Sequence, residues 1–118
     1  MRAVTVVLPI PTSTNRMYLH TRTGPVKTPR ARSYKLACLA ACRREGITDP
    51  FIGPVRVSLI VYRKWARGDL DNFLKVLLDS LQGLTYHKDS QVRVIHAELN
   101  DEQRRHPRVV VTVEELAP

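Results

Sequence analysis

Two aspartates one residue apart open the stretch Gly68-Asp69-Leu70-Asp71-Asn72-Phe73-Leu74-Lys75. The stretch lies where a strand pattern gives way to a helical one. Acids at such a place have an ordinary use: Asp69 as the helix N-cap and Asp71 as a first-turn acid facing the helix dipole, each contributing about 0.5–2 kcal/mol. They also have a chemical use, because two carboxylates aimed into one site can hold a hard divalent cation. Ionised carboxylates about 4 Å apart repel by roughly 4 kcal/mol at an effective dielectric near 20, so convergence requires an offsetting cation. Lys75, four residues past Asp71, falls on the same helical face, and Asn72 can approach it. Oxygen donors without Cys or His suit Mg²⁺ or Mn²⁺ rather than zinc. A third carboxylate would complete the set, and Asp89 in the loop Thr85-Tyr86-His87-Lys88-Asp89-Ser90 is the best candidate. A helix of about 13 residues carries the chain roughly 20 Å away from Asp71. Asp89 must therefore either return to the helix start or serve the site of a second subunit. His87 reads as a surface residue. Trp65 and Phe73, which flank the motif, read as core or interface packing rather than base stacking, since neither belongs to a repeated aromatic platform.

Charge gives an independent indication. The 118-residue chain carries a net charge of +8, with 19 Lys and Arg against 11 Asp and Glu. Residues 1–44 hold nine basic residues and no acid, while residues 45–118 are close to balance. One segment thus carries the excess, the footprint of a polyanion binder. Its loop and helix residues Arg16, Arg22, Lys27, Arg30, Arg32 and Lys35 are candidate phosphate contacts, with Arg67 in the basic turn before the acidic pair. Neither helix-turn-helix, RNP aromatic signature nor zinc finger is recognisable. Cys38 and Cys42, four apart on a predicted helix, have no zinc-spaced partners and read as buried thiols. No apolar run approaches the ~18 residues of a membrane span, and the amino terminus does not resemble a secretory signal. A cytoplasmic protein is expected (the host cytoplasm, if phage-encoded).

These residues need elements to position them. Arg2–Leu8, Val55–Tyr62, Val92–Leu99 and Arg108–Val113 read as strands. Residues 9–32 read as a long loop. Ser33, as N-cap, to Glu45 reads as a first helix, and Leu70, Leu74, Leu77, Leu78 and Leu81 mark the apolar stripe of a second that Gly83 ends. The order β-α-β-α-β-β implies a single α+β domain over residues 1–118. It should form a small four-stranded mixed sheet with two helices packed on it, and a hairpin should join the last two strands.

The motif GDLDNFLKVLLDSL followed by YHKDSQV resembles the RusA family of Holliday-junction resolvases: acid-x-acid-Asn at a helix start, Lys four residues on, and an Asp-x-Gln-Val loop about a helix later. The amino terminus is similar as well, with a first strand ending at LPIP, then Ser13-Thr14-Asn15-Arg16 and Tyr18. The resemblance implies a homodimeric, Mg²⁺-dependent endonuclease of four-way DNA junctions. It implies Asp69, Asp71 and Asp89 as catalytic, metal-holding acids and Lys75 as catalytic lysine. Asn72 and Gln91 match motif positions without an assigned catalytic role, and Asn15 joins Arg16 among the DNA contacts. The chain departs from many relatives at Lys88-Asp89, where an acidic pair is usual. The alternatives are a non-catalytic basic DNA-binding module, or a nuclease of other branched DNA or of RNA.

Overall fold

Alternating valines build the sheet. In a computed structural model that describes residues 2–11, 18–66 and 68–117, β1 (Ala3–Leu8), β4 (Val55–Tyr62), β5 (Val92–Asn100) and β6 (Arg108–Glu115) form one sheet in the order β1-β6-β4-β5. β2 (Tyr18–Thr21) and β3 (Gly24–Lys27) form a separate hairpin. Val6 and Leu8, Val55, Val57, Leu59 and Val61, and Val109, Val111 and Val113 are all buried on one face. Helices α1 (Pro29–Arg44) and α2 (Leu70–Leu81) supply the rest of the core, including Cys38, Cys42, Phe73 and Leu77. The period-2 pattern of the strands and the 3.6 period of α2 thus meet in one apolar layer. Both cysteines are free and buried, as their spacing suggested. Among the described residues, no helix is long and apolar enough to cross a membrane.

Three expectations are corrected. First, β5 and β6 do not form a hairpin: β5 pairs parallel with β4, and β6 pairs antiparallel with β4 on its other side. The segment between them steps across β4. The reason lies in burial. Val109, Val111 and Val113 are fully buried and require a central strand, whereas Arg93, His96 and Glu98 are exposed and suit the sheet edge. A strand that follows a helical crossover from β4 is also able to lie parallel to it.

Second, residues 9–32 are not one loop. They include the β2–β3 hairpin, and α1 begins at Pro29 rather than after Ser33. Thr28 is the N-cap, accepting from the Ala31 N–H at 3.4 Å, with Pro29 pre-set for the first turn. Third, the buried stripe of α2 is Phe73, Val76, Leu77, Ser80 and Leu81, while Leu74 and Leu78 lie half-buried at its margin. Leucine spacing alone placed the stripe about one position off.

Candidate active site

β4 and β5 run parallel, so their carboxyl ends lie together at one edge of the sheet, the edge at which open α/β sheets commonly bind ligands. Arg63, the residue after β4, braces this edge. Its N–H donates to the Asn100 carbonyl at 3.0 Å. Its guanidinium donates to both Asp101 oxygens, Nε to Oδ1 at 2.7 Å and Nη2 to Oδ2 at 2.6 Å, and Nη1 donates to the Gly68 carbonyl at 2.9 Å. The fork-on-fork pair with Asp101 raises the Arg63 pKa and lowers that of Asp101. Arg63 therefore ties the end of β5 to the turn that delivers the acidic pair. In that turn Gly68 has φ +87°, and a Cβ there would lie 3.1 Å from the Phe73 ring. Only glycine satisfies both the left-handed backbone and the aromatic contact.

Beyond Gly68, Asp69 is the N-cap of α2 through its backbone, its carbonyl accepting from the Phe73 N–H at 3.2 Å. Its carboxylate makes no capping hydrogen bond. The ordinary explanation of an acid at this position therefore does not apply to the side chain. Asp71 sits in the first turn and accepts from the Asn72 N–H at 3.0 Å through Oδ1. Both aspartates are exposed. The positive end of the helix dipole and Arg63, which lies close enough to Asp69 to interact electrostatically, offset part of their mutual repulsion. Lys75 is one turn further along, with Nζ 3.9 Å from Asp79 Oδ2. That exposed i,i+4 pair is worth only about 0.3–0.5 kcal/mol.

Asp89 lies elsewhere. It opens a 3₁₀ turn (Asp89–Gln91) beyond the other end of α2, where Gln82 is the helix C-cap. With its amide oriented to satisfy the network, Gln82 donates to Asp89 Oδ1 at 2.6 Å and to Oδ2 at 3.3 Å. Twelve helical residues, about 18 Å, separate this end of α2 from the Asp69 end. Among the described residues, no three His, Cys, Asp or Glu side chains converge on a metal-binding point. One chain thus carries Asp69 and Asp71 at the start of α2 with Lys75 one turn on, and holds Asp89 at the other end of the helix.

Gln91 holds the Asp89 turn in place. Its Oε1 accepts from the N–H groups of His87 at 2.7 Å and Lys88 at 2.8 Å. Its Nε2 donates to the carbonyls of Phe51 at 2.7 Å and Gly53 at 2.8 Å. The glutamine of the motif is therefore a four-bond tie between two loops. Sequence patterns alone had no means of reading this role, nor those of Arg63, Asp101 and Gln82, because each role depends on a partner brought close only by folding.

The candidate DNA contacts divide. Asn15, Arg16 and Arg67 lie outside the described residues. Arg22 lies in the turn of the β2–β3 hairpin, Lys27 ends β3, and Arg30 and Arg32 stand in the first turn of α1; all four are exposed. The charge of Arg30 and Arg32 is unfavourable to that helix's own dipole, and no acid in its first turn compensates. Lys35 has a different task. It is half-buried and its Nζ donates to the Asp79 carbonyl at 3.5 Å and to the Gln82 carbonyl, capping the end of α2. Burial and nearby Lys27 lower its pKa. Lys27 and Lys35 line a groove of about 370 Å³ with Asp79, Gln82 and Gly83, which brings the basic hairpin close to the Gln82–Asp89 pair. Phe73 is core, as expected, but Trp65 is 62% exposed and is not part of the core. His87 is on the surface.

A comparison with curated proteins gives no match. A comparison with protein families matches residues 8–114 to the model described as endodeoxyribonuclease RusA. That span runs from the end of β1 to the penultimate residue of β6 and includes both ends of α2 with their acids. The chain belongs to the RusA endodeoxyribonuclease family.

Proposed function

We propose that the protein resolves four-way DNA junctions by paired, symmetric phosphodiester cleavage, acting as a homodimer with Mg²⁺ (or Mn²⁺) at each active site. Asp69, Asp71 and Asp89 of the partner subunit would hold the ion. The observation that carries this reading is the state of Asp69: an acid at a helix start, within an endodeoxyribonuclease family, whose carboxylate is not used to cap the helix. Two oxygen donors suffice to begin a magnesium site, since that ion is commonly bound by one or two carboxylates together with water and substrate phosphate. The separation of Asp89 from the pair supports a ligand given in exchange between subunits, and two exchanged ligands make two sites for two nicks.

Bound there, the ion would supply a water acidic enough to attack phosphorus and a charge on the phosphate oxygens. The chain's own residues do the rest. The Asn72 N–H fixes one oxygen of Asp71. Lys75, released from its weak pair with Asp79, donates to the phosphate as charge builds on it in the transition state. Gln91 holds the turn from which Asp89 projects. Lys27, Arg22, Arg30 and Arg32 take flanking phosphates, with Asn15, Arg16 and Arg67 from the same basic segments. These contacts recognise charge and shape rather than sequence. Lys88 adds a cation next to Asp89.

The test uses a labelled mobile four-way junction. Asp71→Asn and Asp89→Asn should each bind it and fail to cut. Mixed subunits of the two variants should regain nicking at one site, because the Asp89→Asn subunit supplies an intact pair and the Asp71→Asn subunit an intact Asp89. A mixture that stays inactive would place all three acids in one chain. Equal cleavage by Asp71→Asn would remove the metal site altogether.

A further inference from the structure

The carboxyl-terminal edge of the sheet carries a second feature, which the acids do not explain. The turn after β4 and the turn after β5 enclose a groove of about 460 Å³ lined by Lys64, Trp65, Arg104, Arg105 and Pro107. Its size is that of a site for a small ligand. Arg63 fixes both walls, through Gly68 on one side and Asn100 and Asp101 on the other. Trp65 stands 62% exposed in it, with Lys64 Nζ 5.5 Å from the ring centroid, in the range of a cation–π contact. No carboxylate lines the groove. Arg104 Nε donates to the Asp101 carbonyl at 3.1 Å, and among the described residues neither Lys64, Arg104 nor Arg105 forms a close ion pair with a carboxylate.

We infer that this groove binds an unstacked nucleotide, with its base on the Trp65 ring and its flanking phosphates on Lys64, Arg104 and Arg105. An exposed aromatic face bordered by cations is the combination by which single-stranded nucleic acid is held. A base inside a duplex offers no free face; a base at a branch point or in a single strand does. Asp69 follows Trp65 by four positions, at most about 14 Å of chain, so the stacked base lies within a few nucleotides of the bond that the acids address. For its substrate the inference rests on the proposed action on branched DNA, but the chemistry of the groove does not.

Trp65 is the only tryptophan in the chain, so intrinsic fluorescence reports on the groove directly. The full-length protein is titrated with an oligothymidylate single strand and with a blunt linear duplex, both without divalent metal. The single strand should quench Trp65 saturably and the duplex much less. Trp65→Ala should weaken single-strand binding about tenfold by fluorescence anisotropy, and Trp65→Phe should restore most of it. An exposed side chain leaves the core intact when truncated, and unchanged thermal melting verifies this. Unquenched fluorescence at saturation by anisotropy, or equal binding by Trp65→Ala, overturns the inference. Quenching by single strands without junction cleavage would keep the groove and remove the resolvase reading. Junction cleavage at parental rate by Trp65→Ala, with a silent Trp65, would remove the groove and keep the resolvase.

Discussion

Replacing Gln91 with leucine keeps most of the side chain's volume and removes four hydrogen bonds at once. The two lost on the His87 and Lys88 side fall on exposed residues whose N–H groups can turn to water. The two lost on the other side leave the carbonyls of Phe51, which is 3% exposed, and of half-buried Gly53 without their donor. With a net value of about 0.5–1.5 kcal/mol for each bond and the larger share at the sheltered carbonyls, the cost comes to about 2–4 kcal/mol. That is a large fraction of the roughly 5–15 kcal/mol that holds a domain together. At about 4 °C per kcal/mol for a chain of this size, Tm should fall by about 8–16 °C. Thermal and urea unfolding followed by circular dichroism measure this.

Gln91→Glu sharpens the test. It keeps the acceptor for His87 and Lys88 but aims an oxygen at two carbonyls, so the neutral acid, which can donate, is favoured in the fold. The folded pKa then lies above the unfolded value near 4.3, and the variant loses stability as pH rises through that range. At a temperature where both variants remain folded, junction cleavage should still drop about tenfold, because the Asp89 turn is no longer tied to the Phe51 segment. A leucine variant that melts within about 2 °C of the parent, or a glutamate variant whose stability does not vary between pH 4 and 7, would refute the reasoning.

Other outcomes follow from the same geometry. Gly68→Ala places a Cβ 3.1 Å from the Phe73 ring at φ +87° and should cost about 1–3 kcal/mol in urea unfolding, with loss of cleavage as the Asp69 turn shifts. Burial pushes the Cys38 thiol up to about 11, above the ordinary thiol range. Its folded pKa is raised, so the fold loses stability as pH climbs from 9 toward 11, and thiol reagents at pH 8 should label Cys38 only as fast as the protein opens. Asp101 is the opposite case: its pair with Arg63 depresses its pKa, so the stabilisation is present above the ordinary carboxylate range and lost as pH falls below it. Asp101→Asn should therefore flatten the acid limb of the stability profile. Arg30→Ala should weaken junction binding and lower the slope of log affinity against log salt by about one; an unchanged slope would remove that phosphate contact.

The family and most of the elements were readable from residue order. Alternation fixed Val55–Tyr62 as a strand to the residue, the change of period at Leu70 located the start of α2, and the concentration of charge before Glu45 pointed to a polyanion. These are local or compositional properties, set by periods of 2 and 3.6 and by the count of charges. Even some local signals were outweighed by stronger neighbouring ones, as when Ser33 looked like the cap that Thr28 and Pro29 in fact provide. What tertiary structure alone decided concerns partners distant in sequence. β6 enters between β1 and β4 because its three inner valines require burial on both sides, and no pattern within Arg108–Glu115 states which strands those neighbours are. Gln91 meets Phe51 and Gly53 some forty positions away, Arg63 meets Asp101, and α2 holds Asp89 about a helix length from Asp71 because a straight helix cannot bring its two ends together.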